Sequence, residues 1–319
     1  MRFLSETKID FLGARRFGFI ISGALLLAGM ISLFLQNGPK LGIDFTGGVR
    51  VMVKYNKPVD ISSVRNALSE VEIDDETFDF SKAEIKLEHD EKTGDYFVSV
   101  RLPKMTEIAE DADREVINKL FTAFPESVQG DLSKFKESSK ALSIGPKIGS
   151  ELRGKAILAI LSSILMILFY VSIRFQFKFA IGAIAALVHD VLITLGIFSI
   201  MDYEISLVIV AAFLTIVGYS LNDTIVVFDR VRENLKRLKQ EKYEAIINKS
   251  INESLSRTII TSLTTFMVVF ILWLAGGEVI RYFAFAMMVG ILIGTYSSMF
   301  VASPVVVAWH NRFGKSKSR

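Results

Sequence analysis

An aspartate and an arginine stand in the apolar half of the chain, where charges are costly. Asp223 lies inside Val217-Gly-Tyr-Ser-Leu-Asn-Asp-Thr-Ile-Val-Val-Phe228, and Arg257 precedes the apolar run 258–275. A charged side chain at the centre of a bilayer-spanning helix costs about 2.5–3.5 kcal/mol on insertion scales. A carboxylate retained there with a cation in reach suits proton binding. Burial favours the neutral acid and the cation favours the carboxylate, so the two oppose each other and both states stay accessible. Thr215, Tyr219, Asn222 and Asp223 gather on one side of a helix, and Arg257, Thr261 and Thr264 form a matching stripe on the next. Asp223 stands five residues inside the end of its apolar segment, a depth of roughly 7–8 Å at 1.5 Å per residue. The competing reading is a static ion pair joining two helices, but buried pairs repay their desolvation poorly.

His189-Asp190 lies near the middle of another apolar segment, with Thr194 one turn beyond. Histidine titrates near neutral pH, which offers a second relay group. The alternative is a helix-packing pair satisfied by neighbouring hydroxyls. Gly290-Ile-Leu-Ile-Gly294 is a small-residue ridge for close helix approach, with no partner helix identifiable. Leu41-Gly-Ile-Asp-Phe-Thr-Gly-Gly48 is glycine-rich, but no Gly-Lys-Ser/Thr follows and no helix opens. It reads as a tight turn into a strand rather than a phosphate cradle.

Other chemistries are poorly supplied. The chain has no cysteine, hence no disulfide, thiolate zinc site or cysteine nucleophile. His89, His189 and His310 are far apart, which argues against a metal centre. No serine–histidine–acid set or nucleotide loop is evident, so the expectation is that the chain is not an enzyme and uses no cofactor beyond protons. A net charge of +3 argues against nucleic acid as a partner.

These residues need a membrane scaffold. Hydrophobic residues make up 51% of the 319, with 22% charged and a mean hydropathy of +0.41. That combination fits a polytopic α-helical membrane protein in the lipid bilayer with one soluble domain. Six apolar segments approach or exceed the roughly 20 residues of a transmembrane helix, at 17–36, 155–173, 179–201, 205–228, 258–275 and 279–310. Glu6 and Asp10 precede the first and no small-x-small cleavage site follows it, so it reads as a retained span. Arg2, Lys8, Arg15 and Arg16 precede span one, and Arg174 and Lys178 separate spans two and three. Eight basic residues fall within 229–257, and Arg312, Lys315, Lys317 and Arg319 form the tail. Residues 202–204 and 276–278 hold none, so both termini (1–16 and 311–319) and the 229–257 loop are expected to be cytoplasmic. The segment 230–257 looks helical and basic, and suits an anchor on anionic headgroups or a contact with a cytoplasmic or membrane partner.

Residues 37–153 then form an extracytoplasmic domain, ahead of spans two to six in 154–310. Within it 49–55, 83–88, 96–102 and 140–143 read as strands, with Lys92-Thr-Gly-Asp95 as a turn. Residues 61–71 and 106–121 read as helices, the latter capped by Thr106, and acidic 72–79 reads as a solvated loop. Strand, helix, strand, strand, helix, strand is an α+β ferredoxin-like order.

Several strings together resemble the SecF subunits of the bacterial Sec protein-export machinery. They are Leu41–Gly48, Ile144-Gly-Pro-Lys-Ile-Gly-Ser-Glu-Leu152, Val188-His-Asp190, residues 217–234, and Asn252-Glu-Ser-Leu-Ser-Arg-Thr-Ile-Ile-Thr-Ser-Leu-Thr-Thr265. The likeness covers nearly the whole chain in order, while 56–140 carries no motif of its own. It implies half of a resistance-nodulation-division type fold in the cytoplasmic (inner) membrane, paired with SecD and associated with the SecYEG channel. It further implies help to late preprotein translocation driven by the proton-motive force. The family's essential aspartate and arginine fall on Asp223 and Arg257, with Tyr219, Asn222, Thr261, His189 and Asp190 as neighbouring candidates. Two other readings fit the residues: a stand-alone proton-coupled exporter half-unit for small molecules, and a structural subunit that stabilises a channel.

Overall fold

The computed structural model describes residues 7–73, 76–90, 93–102, 112–128 and 131–313. The chain divides into two compact units, Met1–Lys40 with Ala156–Arg319, and Leu41–Lys155.

The second unit opens with a one-turn helix, α2 (Ile43–Thr46), where only a turn was expected. Ile43 and Phe45 are buried by that turn. Gly47 and Gly48 follow at φ +71° and +124°, values that favour glycine, and hand the chain to strand β1 (Gly48–Tyr55). A Cβ on Gly149 would lie 2.8 Å from the Gly47 nitrogen, so the same motif needs a glycine facing it. Arg101 fixes the motif, donating from Nη2 to the Leu41 carbonyl (3.0 Å) and to Thr46 Oγ1 (2.8 Å).

Strands β1, β4 (Glu84–Asp90), β5 (Asp95–Leu102) and β6 (Lys140–Ile144) form one antiparallel sheet in the order β4-β5-β1-β6. That order, with helices α3 (Ile61–Ala67) and α4 (Ala112–Ala123) in the crossovers, is the ferredoxin-like arrangement. Alternation turns Val51, Val53 and Tyr55 of β1 and Val98 and Val100 of β5 into the core against Val64, Leu68, Val116 and Leu120. The buried Tyr55 hydroxyl donates to the Leu120 carbonyl (3.2 Å), and burial pushes its phenol above the ordinary range.

Three expectations change here. The acidic stretch expected as a loop forms a hairpin, β2 (Val71–Ile73) with β3 (Glu76–Phe78), because Val71 and Ile73 point inward around Glu72. Helix α3 therefore ends at Ala67 rather than 71, and a short α5 (Leu132–Ser138), capped by Asp131, precedes β6. Thr106 and Lys92 lie outside the described residues, and the turn before β5 is made by Gly94 at φ +75°.

Among the described residues six helices are long and apolar enough to cross a membrane. These are α1 (Arg15–Leu35), α6 (Pro146–Arg174), α7 (Phe177–Ile200), α8 (Leu207–Arg237), α9 (Tyr243–Ala275), and α10 (Glu278–Ser297) continuing into α11 (Ser303–Phe313). More than half of the apolar windows of α7, α8 and the last span is buried, whereas α1, α6 and α9 bury under a fifth of theirs. The first three make the centre, packing Ala183, Leu187, Val217, Phe228, Ala302 and Val306 together. The basic segment 229–257, which looks helical in sequence, is made of the ends of two helices with a break at 238–242. Asn234 of α8 donates to Ser250 Oγ (3.0 Å) and Glu253 Oε2 (2.7 Å) of α9.

The sixth span is not one regular helix. A π-turn, Ser298–Ala302, separates α10 from α11. Pro304 has no N–H for a carbonyl one turn back, and a widened turn absorbs that gap. Ser303 Oγ donates to the Ser298 carbonyl (2.9 Å) across it. The Gly290/Gly294 ridge finds its partner in α8: a Cβ on Gly294 would stand 2.9 Å from Ser220 Cβ, and one on Gly290 would strike Ile216. Gly29 of α1 meets Gly196 of α7 in the same way, with a Cβ on Gly29 reaching 2.7 Å from the Gly196 Cα. Gly294→Val is expected to cost about 1–3 kcal/mol by overpacking. Gly218→Ala, where a Cβ meets nothing within 4 Å, is expected not to destabilise. Thermal unfolding of the purified chain checks the contrast, and equal behaviour of the two variants would contradict it.

Candidate functional site

Helix α8 begins at a Ser206 cap, whose side chain accepts from the Ile209 N–H at 3.4 Å. Its buried stripe runs Ile216, Ser220, Asp223, Thr224 and Val227. Asp223 is 1% exposed. Its Oδ2 accepts from Ser262 Oγ of α9 (3.0 Å) and from Thr295 Oγ1 of α10 (3.3 Å). Thr295 Oγ1 also contacts Ser262 Oγ (2.7 Å) and the Ile291 carbonyl (2.8 Å). The two hydroxyls thus form a short chain running from a carbonyl acceptor to the carboxylate. Asp223 Oδ1 has no hydrogen-bond partner among the described residues.

The sequence placed Asp223 on one stripe with Thr215, Tyr219 and Asn222, and the structure divides that stripe. Successive residues turn by 100°, so Asp223 faces the bundle interior while Thr215 and Asn222 are exposed and Tyr219 is half-buried. Arg257 is exposed as well, in the middle of the continuous helix α9. It makes no ion pair with Asp223 within 4.0 Å. The expected direct contact across the two helices is replaced by Ser262, one residue beyond Thr261 and on the buried side. Thr261 is half-buried: its carbonyl accepts from Tyr219 OH (3.1 Å), and its hydroxyl bonds back to the Arg257 carbonyl (3.0 Å). Thr215, Asn222, Arg257 and Thr264 therefore form an exposed polar face along α8 and α9, outside the carboxylate site.

A second cluster surrounds His189 and Asp190 on α7. Asp190 is wholly buried, and its Oδ1 lies 2.8 Å from His189 Nδ1. Its Oδ2 accepts from Ser220 Oγ of α8 (2.5 Å) and Ser297 Oγ of α10 (2.8 Å). His189 Nε2 contacts Ser22 Oγ of α1 at 2.9 Å, Ser22 Oγ contacts Tyr296 OH at 3.0 Å, and Tyr296 donates to the Gly18 carbonyl at 2.6 Å. Thr194 does not touch the carboxylate, since its hydroxyl goes to the Asp190 backbone carbonyl (2.8 Å).

No serine–histidine–acid set was visible in the sequence, yet Ser22, His189 and Asp190 assemble one. They are distant in the chain and meet because glycines let α1 and α7 approach closely. Ser22 is buried and its oxygen is shared with Tyr296, which makes the set a closed hydrogen-bonded chain rather than an open nucleophile. Among the described residues no group of three or more histidine, aspartate or glutamate side chains could hold a metal. A shallow cleft of about 560 Å³, lined by Asp229, Arg232, Glu233, Lys236 and Arg237, includes no member of either cluster.

Serines 22, 220, 262 and 297 and Thr295 were missed in the sequence. Hydroxyl residues are common in apolar helices, and only the spacing of Ser220 and Asp223 by one turn hinted at them.

Comparison with known proteins supplies the context. Residues 126–312 match the family described as protein export membrane protein SecD/SecF, C-terminal, and residues 32–59 match the SecD/SecF GG motif, which contains Gly47 and Gly48. A protein translocase subunit SecF from Calditerrivibrio nitroreducens is 44% identical over 95% of this chain and 94% of its own length. Another, from Thermodesulfovibrio yellowstonii, is 42% identical over 96% of each. The crystal structure of SecDF from Thermus thermophilus, a translocon-associated membrane protein, superimposes with a TM-score of 0.80 at 36% identity over 96% of this chain. The chain spans 39% of that longer protein.

Asp190→Ala would leave His189 and two hydroxyls unpaired in the interior and is expected to cost about 3–5 kcal/mol. Arg257→Ala, on an exposed face, is expected to stay within about 0.5 kcal/mol. Denaturant unfolding of the full chain compares them, and equal losses would contradict the division into buried and exposed polar groups.

Proposed function

The chain belongs to the SecD/SecF family of protein export membrane proteins, and on that premise we propose that it acts as the SecF subunit of a Sec translocase in the cytoplasmic membrane. In this reading a SecD subunit is its partner and the SecYEG channel its neighbour. Proton movement through Asp223 assists the late translocation of preprotein. The placement of lysine and arginine supports cytoplasmic termini, with the αβ unit on the outer side.

The observation that carries the proton role is the hydroxyl chain at Asp223. When the carboxylate is ionised, Ser262 donates to it and Thr295 donates to Ser262. When it is protonated, its O–H donates to Ser262, Ser262 to Thr295, and Thr295 to the Ile291 carbonyl. At Oδ2 a hydrogen bond is kept in both protonation states by turning hydroxyls, with no heavy atom displaced. A purely structural aspartate needs only one of these states.

The exposed face of Thr215, Asn222, Arg257 and Thr264 supports a protein partner, because an arginine and an asparagine at that position are costly against lipid. The SecDF protein of similar fold is more than twice as long as this chain, and SecD supplies the missing half in this proposal. Arg257 would then stand at the junction of the two subunits and act on Asp223 from there.

One charge crossing 100 mV supplies about 2.3 kcal/mol, whereas shifting a two-state equilibrium from 1:99 to 99:1 needs roughly 5.5 kcal/mol. One proton at that voltage therefore biases a nearly balanced equilibrium but does not reset a strongly tilted one. A second proton, a pH gradient or a carboxylate on SecD has to contribute the remainder.

The test is export into vesicles reconstituted with the chain, a SecD partner and SecYEG under an imposed proton gradient. Asp223→Asn keeps shape and hydrogen bonding, and is expected to lose the gradient-dependent part of export while retaining the remainder. Full gradient-dependent export by this variant would contradict the proposal. Restored export by the swapped pair Asp223→Arg with Arg257→Asp would assign a static ion pair instead.

A further inference from the structure

We propose that His189 and Asp190 form a second proton-binding site, holding one proton on the Nδ1–Oδ1 axis as a net-neutral pair. The assignment follows from counting hydrogen-bond donors and does not depend on the role of Asp223. Tyr296 has one hydroxyl hydrogen, and the Gly18 carbonyl 2.6 Å away can only accept, so that hydrogen goes to Gly18. The 3.0 Å contact between Ser22 and Tyr296 must then use the hydrogen of Ser22. Ser22 has no second hydrogen, so its 2.9 Å contact with His189 Nε2 must use the ring N–H.

With Nε2 protonated, a neutral imidazole would present a bare Nδ1 lone pair to Asp190 Oδ1 at 2.8 Å. A carboxylate facing that lone pair would be repelled, so a proton lies between them. The pair is either imidazolium with carboxylate or neutral imidazole with carboxylic acid. Both forms carry one proton more than neutral imidazole beside carboxylate, and both sum to zero charge.

The surroundings agree with a neutral pair. Among the described residues, the one ionic partner of Asp190 within 4.0 Å is His189. The other groups facing the pair are the uncharged Ser22 of α1, Ser220 of α8 and Ser297 of α10, with Tyr296 of α10 stacked beside the imidazole at 6.2 Å. Along α8 the adjacent Tyr219 turns its hydroxyl to the Thr261 carbonyl of α9, and the nearest further carboxylate is Asp223, one turn from Ser220. A net negative charge in that apolar interior would be costly.

The proton is therefore controlled from α1 and α10. If α10 carried Tyr296 away from Ser22, the Ser22 hydrogen would be free to turn to Nε2. The imidazole would then pass to its Nδ1–H form beside an ionised Asp190, and one proton would leave. Because α10 also supplies Thr295 to Asp223, one helix movement reaches both sites.

The test is nitrogen NMR of the full chain, labelled at histidine, in lipid nanodiscs at neutral pH. A His89→Gln/His310→Gln background leaves His189 as the single signal. The expected result is a protonated Nε2, as imidazolium or as the Nε2–H tautomer. A neutral ring with bare Nε2 and protonated Nδ1 would overturn the proposal. Ser22→Ala removes the acceptor that holds hydrogen on Nε2 and is expected to shift the ring to the Nδ1–H form with release of one proton per chain. An unchanged ring in Ser22→Ala would overturn the control by Ser22. Asp190→Asn can donate to Nδ1 while its oxygen accepts from Ser220 and Ser297, so it is expected to fold and keep Nε2–H. Loss of Nε2–H in a folded Asp190→Asn would likewise count against the pair.

Discussion

In the interior of a helical bundle that excludes water, a buried polar group is costly unless it finds a partner within the protein. Among the described residues the membrane unit buries two carboxylates under that constraint, Asp223 and Asp190, and most of its distinctive packing serves them. The Gly290/Gly294 ridge brings α10 against α8, so that Thr295 and Ser297 reach Asp223 and Asp190 respectively. The Gly29–Gly196 contact brings α1 against α7, so that Ser22 reaches His189. Small residues set the helix spacing, the spacing places hydroxyls, and the hydroxyls make buried acids tolerable.

The two carboxylates are solved differently. Asp223 is met by hydroxyls that can reverse their direction, which tolerates gain and loss of a proton in place. Asp190 is met by an imidazole whose own orientation is dictated by Ser22 and Tyr296. Helix α10 is common to both, and its regular path ends immediately beyond them in the π-turn at Ser298–Ala302. A widened turn at that point is a natural place for α10 to shift against α11, because its backbone pairing is already interrupted.

Much of this was legible in the sequence, and the limits are physical. Six spans follow from apolar length, and the ferredoxin-like order follows from alternation in β1, β4 and β5. The β2–β3 hairpin was hidden because three alternating residues are outweighed by the acidic composition around them. Helix was legible across 230–257, but the break at 238–242 between α8 and α9 was hidden because a polar stretch carries no apolar signal to mark it. Asp223 and Arg257 stood out through the cost of charge in an apolar run, but their relation did not. Spacing within one helix suggested a shared stripe, whereas a 100° turn puts Asn222 and Asp223 on different sides. Ser262 could not be distinguished from Thr261 without knowing which side of α9 faces α8. The Ser22–His189–Asp190 chain joins residues far apart in sequence through helix crossings that local pattern does not encode.

In the proposed mechanism Asp223 exchanges a proton while remaining inside its hydroxyl pocket. Infrared difference spectroscopy of the membrane-embedded chain across pH, with isotope-labelled aspartate, addresses it directly. A protonated-carboxyl band is expected to appear as pH falls, to shift when Ser262 is replaced by alanine, and to be missing in Asp223→Asn. A carboxylate signal unchanged across the whole pH range, with no band assignable to Asp223, would contradict it.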